Sequence, residues 1–304
     1  MVNLFIKRIF IFLLPVIAFS VVIEVFLRHI PNDYTYKNEY LNSYSDKIEL
    51  LILGSSHAYY DINPDYITSL NSFNAGYVSQ FIDIDYKILD KYRDNWSNLK
   101  YIIVPIDYFT LFINLSDAEE SWRKKDYNIY YGFKLSNKLS DNTELFSVDL
   151  RSNIKRLFEY YIKHDSFITC TELGYGIGYR EPADLMVSGK EAAMRHTVND
   201  YSVLKKNLKI INCILDFASE KNVKVIFLTL PAYKSYISEL DETQLDLTMS
   251  TMKKITEENA ICFYFNFLQD IRFTPDDYRD ADHLNFNGAR KFSLILDEIL
   301  KELN

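Results

Sequence analysis

The sequence predicts an α/β protein in which a parallel sheet is covered by helices on both faces, preceded by one segment able to cross a membrane. Three observations lead there. From residue 48 onward, short apolar runs alternate with stretches of helical periodicity, and strand and helix in alternation give a parallel sheet. The opening residues form a single long apolar run. The composition, 48% hydrophobic and 25% charged with 8 Gly and 7 Pro in 304 residues, supplies a core and excludes disorder or collagen-like repeats.

Leu4 to Leu27 is almost wholly apolar, broken by Lys7 and Arg8 near its start and by Glu24 near its end. At 1.5 Å per residue this run covers ~36 Å, more than the ~30 Å hydrocarbon thickness. Residues 1–28 are therefore expected to be a single-pass anchor, reaching the membrane through residues 4–27. The basic residues lie at its start, so the amino terminus is expected in the cytoplasm and the rest outside. A cleaved signal peptide ending near Ala18-Phe19-Ser20 competes with this reading. Apolar residues continue beyond it from Val21 to Leu27, which favours an uncleaved helix. Glu24 is costly in hydrocarbon and is expected at the outer interface or against another helix. Residues 29–47, polar and Tyr-rich with Pro31, Asn32 and Asp33 as turn formers, read as a stalk.

The domain then runs from 48 to 304. Its strands are expected at Ile48–Leu53, Ser72–Ala75, Tyr101–Pro105, Val223–Leu230 and Ile261–Phe267, each run rich in Ile, Val, Leu or Phe as strands buried on both faces are. Helices are expected near Asp83–Arg93, Tyr201–Lys221, Asp241–Asn259 and Asn287–Leu303. Residues 112–200 break the rhythm with a charged, aromatic stretch containing Gly174, Gly176 and Gly178. They read as a partly helical insertion, of the kind that forms lids at the carboxyl ends of strands.

A formal net charge of -8 opposes a polyanionic partner, so no nucleic acid is expected. The 24 Tyr and 21 Phe admit a sugar-stacking surface, although core filling is the commoner use. Cys170, Cys213 and Cys262 lie far apart and form no C-x-x-C pair. They imply neither a disulfide framework nor a zinc site, and Cys213 and Cys262 read as small buried hydrophobes. None of the 5 histidines has metal-ligand spacing, and no metal or cofactor is expected.

Two segments carry candidate chemistry. The first strand ends in Gly54-Ser55-Ser56-His57, and a serine at the carboxyl end of a strand faces the sheet's crevice. The second segment, Asp280-Ala281-Asp282-His283-Leu284-Asn285-Phe286-Asn287-Gly288, places a carboxylate three residues before a histidine. A serine hydroxyl becomes a nucleophile when an imidazole takes its proton, and the imidazole needs a carboxylate to set its tautomer. The plainer reading is a helix-capping loop in which Asp282, Asn285 or Asn287 caps the last helix, Asn287 foremost. His57 is expected to point away from Ser56 into the next turn. Arg195-His196 and Tyr179-Arg180 are either solvated surface or the path of an anionic substrate.

Together the two segments resemble the SGNH (GDSL-type) hydrolases, which carry Gly-Asp-Ser after the first strand and Asp-x-x-His-Pro-Asn-x-x-Gly before the last helix. The resemblance covers about 50–110 and 200–304, and Gly-Ser-Ser resembles the variant in membrane-anchored relatives acting on envelope polysaccharides and teichoic acids. It implies a three-layer α/β/α sandwich with a flavodoxin-like sheet, Ser56 as nucleophile, His283 as base and Asp280 as its partner. Asn74-Ala75-Gly76 looks like the family's second block, so the Ser56 and Gly76 amides, with Asn74, are the expected oxyanion donors. The third block, Gly-x-Asn-Asp, is replaced by Pro105-Ile106-Asp107-Tyr108. The implied activity is removal or transfer of an acyl group, expected to be acetyl, on a cell-envelope carbohydrate outside the membrane. A transferase would need a multi-span partner to deliver the acyl group. The rival reading is a catalytically silent module that binds polysaccharide within an assembly.

Overall fold

The computed structural model describes residues 2–178 and 181–303, apart from the side chains of 2–6 and 10. In chain order the elements are α1 (Val2–Arg28), α2 (Asp33–Tyr44), β1 (Leu50–Ile52), α3 (Ser56–Asp61), β2 (Ser72–Asn74), α4 (Ile82–Lys91) and β3 (Tyr101–Pro105). There follow α5 (Lys124–Asp126), α6 (Leu150–Tyr161), α7 (Leu185–His196), α8 (Leu204–Lys221), β4 (Lys224–Thr229), α9 (Lys234–Ile237) and α10 (Glu242–Glu258). The chain ends with β5 (Cys262–Asn266), β6 (Tyr278–Asp280), β7 (His283–Leu284) and α11 (Phe286–Leu303). They fall into two compact units, one of residues 1–39 with 121–169 and one of residues 40–120 with 170–304.

The larger unit is an α/β sandwich. Its five strands are all parallel, in the order β2-β1-β3-β4-β5. Every residue of β1, β2 and β3 is buried, as is β4 beyond Lys224, while the edge strand β5 is half-buried. Leu50, Ile52, Ile103, Ile226 and Leu228 pack on α3 and on Phe292, Leu296 and Leu300 of α11. On α4 and α8, which contact each other, Ile84, Ile88, Leu89, Ile211, Ile214 and Phe217 are buried. All five strands arise at the expected runs; in β1, β3 and β4 continuous burial demands continuous hydrophobicity. In the order 2-1-3-4-5 the chain leaves β1 towards one edge and returns at β3 on its other side, so the crevice opens at the carboxyl ends of β1 and β3.

In the smaller unit α1 contains a 22-residue stretch, Lys7–Arg28, long and apolar enough to cross a membrane. The expected stalk is instead helical. Asn32 Oδ1 accepts the Thr35 N–H at 3.0 Å, so the Pro-Asn-Asp turn signal acts as a helix start. Asp33 accepts both the backbone N–H and the hydroxyl of Thr169.

Within the stretch 112–200, residues 121–169 belong to the smaller unit, and 112–120 and 170–200 to the sheet unit. There Leu173 O accepts the Asn74 N–H at 2.9 Å. Gly174, with φ +86°, presses so close that a Cβ would collide with the Asn74 carbonyl. Of the cysteines, none in a disulfide among the described residues, Cys170 and Cys262 are buried and Cys213 is only partly so.

Candidate active site

The turn after β1 is fixed from both sides. Gly54 has φ +114°, and a Cβ there would lie 2.9 Å from the Pro105 ring at the end of β3, so only glycine fits. Its N–H donates to Asp85 Oδ1 at 2.9 Å, and burial pushes the Asp85 carboxyl up to about 7. Ser55 caps α3, its Oγ accepting the His57 N–H at 3.2 Å and donating to Asp107 Oδ2 at 2.8 Å. Ser56 is the first residue of α3.

The second segment is held over it by equally local rules. Asn285, not Asn287, caps α11, its Oδ1 accepting the N–H groups of Asn287 and Gly288 at 2.9 and 3.1 Å. Gly288 lies where any Cβ would meet the Asp277 carbonyl. The Leu284 N–H donates to Asp61 Oδ1 at 2.9 Å, tying β7 to the end of α3.

Across 227 positions of sequence, Ser56 Oγ and His283 Nε2 come to 2.8 Å. His283 Nδ1 lies 2.8 Å from Asp280 Oδ1. With Asp280 ionised, the consistent arrangement has Nδ1–H donating to the carboxylate and Nε2 accepting the serine proton. Asp280 is held below the usual carboxylate range: burial opposes ionisation, but the hydrogen bond and charge of His283 and the nearby Arg279 outweigh it. Arg279 Nη2 donates to Asp280 Oδ2 at 3.2 Å.

The expected oxyanion donors are used differently. Asn74 Nδ2 gives its two protons to the Ala58 and Ile62 carbonyls at 2.7 and 2.8 Å, and its Oδ1 accepts the Gly76 N–H at 2.9 Å. Asn74 is thus a clamp between β2 and α3, and the Gly76 amide already has an acceptor. Glycine at 76 serves packing, since a Cβ would lie 2.9 Å from Ala58 Cβ. The Ser56 N–H, in the first turn of α3, has no acceptor within the helix.

A second histidine sits beside the first. His57 does not point into the next turn. Its Nδ1–H donates to Asp107 Oδ1 at 2.8 Å, its Nε2 lies 3.6 Å from Asp282 Oδ2, and its ring centroid is 4.8 Å from that of His283. Burial opposes a charge on His57, yet Asp107 and Asp282 raise its pKa well above 6.5. Both carboxyls lie below their ordinary range despite burial, Asp107 through His57 and Asp282 chiefly through His283 and His57. The segment after β3 therefore sets a buried carboxylate, Asp107, against the His57 imidazole. The sequence signal for this pairing is weak: Asp107 and His57 both lie just past the carboxyl ends of neighbouring strands.

His57, Asp282 and His283 also bring potential metal-ligating atoms within 4.8 Å of one another. Both His283 nitrogens already have partners, Asp280 and Ser56.

Ser56 opens into a cavity of about 750 Å³. Phe81, Phe109 and Phe112 line it with Arg195, His196 and four acids, Asp117, Glu119, Glu120 and Asp200. The expected Arg195-His196 pair does reach the site, but acids outnumber Arg195 around it. His196 accepts or donates at 2.9 Å with the Tyr236 hydroxyl, and burial lowers its pKa to about 3, so it is neutral. Tyr179-Arg180 lie outside the described residues.

No family model and no curated protein matches the chain. Among solved structures it is similar to a candidate platelet activating factor from Streptococcus pneumonia, with a TM-score of 0.45, 12% identity, and coverage of 88% of this chain and 91% of that one. It is also similar to a candidate acylhydrolase from Bacteroides fragilis, with a TM-score of 0.39, 14% identity, and coverage of 84% and 88%.

Proposed function

We propose that the chain performs serine-dependent acyl-ester chemistry, removing or transferring an acetyl-sized group on a carbohydrate hydroxyl of the cell envelope. The observation that carries this reading is the continuous Ser56–His283–Asp280 relay, with both links at 2.8 Å. Ser56 Oγ attacks the ester carbonyl as its proton passes to His283 Nε2, and Asp280 stabilises the imidazolium. The Ser56 N–H is the proposed donor to the tetrahedral oxyanion, a contact worth about 3 kcal/mol in such sites. His283 then protonates the departing alcohol, leaving acyl-Ser56. Water or a sugar hydroxyl, deprotonated by the same imidazole, resolves it.

The cavity supports a neutral, hydroxyl-rich substrate: three phenylalanine faces offer apolar contact, and the acids accept hydroxyl hydrogen bonds while repelling phosphate. This departs from the anionic-substrate reading of Arg195. A transferase version needs a multi-span partner to hand acyl groups to the site, with the domain outside the membrane that α1 crosses. The silent binding module is favoured by one observation, the engagement of Asn74 and Gly76 with each other rather than with the cleft.

The test is turnover of p-nitrophenyl acetate by the full chain, with and without oligosaccharide acceptors. Turnover lost in Ser56→Ala supports the reading, and acetylated sugar among the products selects transfer over hydrolysis. A wild type without turnover or acyl-enzyme formation supports the binding module.

A further inference from the structure

Helix α6 of the smaller unit has its polarity inverted, and this points to the medium around it. On α6 the inward residues are polar. Asn153 is fully buried and donates to the Leu145 carbonyl at 3.1 Å, and Arg156 donates to Glu144 Oε2 at 2.7 Å. Glu144, also fully buried, further receives Lys125 at 3.1 Å and the Tyr130 hydroxyl at 2.6 Å. The outward face is apolar: Leu150, Ile154 and Phe158, four residues apart on one line of the helix, are 60%, 57% and 50% exposed. Ile162 continues the line at 64%. A helix facing water carries the opposite arrangement.

The location of this face selects its occupant. The segment 142–161 is bonded to the last turns of α1: Glu24 accepts the Glu144 and Leu145 N–H groups at 3.0 and 2.8 Å, and Arg28 donates to the Asn142 carbonyl at 2.7 Å. The Tyr161 hydroxyl donates to the Phe26 carbonyl at 3.0 Å. Around that junction the surface of α1 is itself apolar, with Val22, Val25 and Phe26 about half exposed. The apolar face of α6 thus continues the lipid-facing surface of α1 at the level where Glu24 and Arg28 end it. Lys155, 72% exposed, and Lys163, 5.7 Å from the Phe158 ring, flank the stripe with long cationic arms suited to headgroups.

We propose that α6 lies in the plane of the bilayer, its Leu150-Ile154-Phe158 face in the headgroup–acyl boundary of the leaflet from which α1 emerges. The proposal rests on α1 spanning the membrane, and the experiment separates the two. Full-length protein with Cys170, Cys213 and Cys262 all replaced by Ser is reconstituted into phosphatidylcholine–phosphatidylglycerol vesicles. Single cysteines at Ile154, Phe158, Ile17 of α1 and Lys253 of α10 carry an environment-sensitive fluorophore. The expected result is strong quenching of 154, 158 and 17 by acyl-chain spin-labelled lipid with little by aqueous iodide, and the reverse at 253. Quenching of 17 by lipid but of 154 and 158 by iodide overturns the proposal and leaves the anchor standing. Shielding of 154 and 158 from both quenchers also overturns it, assigning the face to a protein. Iodide quenching at 17 removes the anchor and the proposal together.

Discussion

Two histidine–carboxylate pairs flank the Ser55-Ser56 turn, and they differ in what burial leaves them to do. In one pair, His283 and Asp280 are partly accessible, with side chains 13% and 19% exposed, and His283 meets the hydroxyl of Ser56, which lines the cavity. Behind the turn, His57 and Asp107 are 7% and 3% exposed, and Asp107 holds both the imidazolium and the Ser55 hydroxyl. An imidazole that can reach substrate, with one nitrogen on a hydroxyl, is placed to move a proton. One locked as a cation between two carboxylates is placed to hold charge and position. In the proposed mechanism the adjacent serines thereby receive different tasks, Ser56 chemistry and Ser55 architecture.

The sharpest break of this contrast is removal of the accessible pair. Ser56→Ala and His283→Ala are each expected to lower kcat for acetyl-ester turnover by about 10³-fold or more with the unfolding midpoint nearly unchanged. Asp280→Asn keeps the shape but loses the carboxylate that sets the His283 tautomer, and kcat is expected to fall by about 10²–10⁴-fold. Steady-state kinetics on the folded variants checks both.

The buried pair should respond in stability. His57→Gln leaves Asp107 and Asp282 without their cation and is expected to cost about 3–5 kcal/mol, read from urea unfolding. Pairing it with Asp107→Asn should recover part of that loss. The pH dependence has a definite sign. The His57 pKa is raised above 6.5 in the folded state, so its stabilisation is complete below that pH and is lost as pH rises through the folded value. The carboxyls of Asp107 and Asp282 are lowered, so theirs is present above the ordinary carboxylate range and lost as pH falls through the folded value. His57→Gln should remove the alkaline decline contributed by His57. The smallest effect belongs to the cavity rim. Glu120→Gln or Asp117→Asn should raise kcat/KM for anionic over neutral acetyl esters by roughly 2–5-fold, the size of an exposed charge interaction, and added salt should shrink the difference.

The sheet could be read from the chain because its strands are buried on both faces: Tyr101–Pro105 appears at its expected bounds, and Ser72–Asn74 one residue shorter. The α2 helix is not readable, because Asp33, Tyr34, Lys37 and Leu41, its buried side chains, mix charged, polar and apolar types. The Asp-x-x-His spacing puts Asp280 and His283 together through β6 and β7, whose pairing sets Asp280 opposite His283. The pairing of His57 with Asp107 depends on the neighbouring register of β1 and β3, information no local motif holds. Asn74 shows the converse: its place at the end of β2 suggested a donor to the cleft, but the carbonyls of Ala58 in α3 and of Ile62 just after it accept both protons.

The central claim, that Ser56 and not Ser55 is the activated nucleophile, is tested most directly by peptide mass spectrometry after reaction with a fluorophosphonate. The account predicts a phosphonylated Ser56 in the wild type, an adduct retained on Ser56 in folded Ser55→Ala, and none in Ser56→Ala or His283→Ala. An adduct on Ser55, or labelling that survives Ser56→Ala, would contradict it.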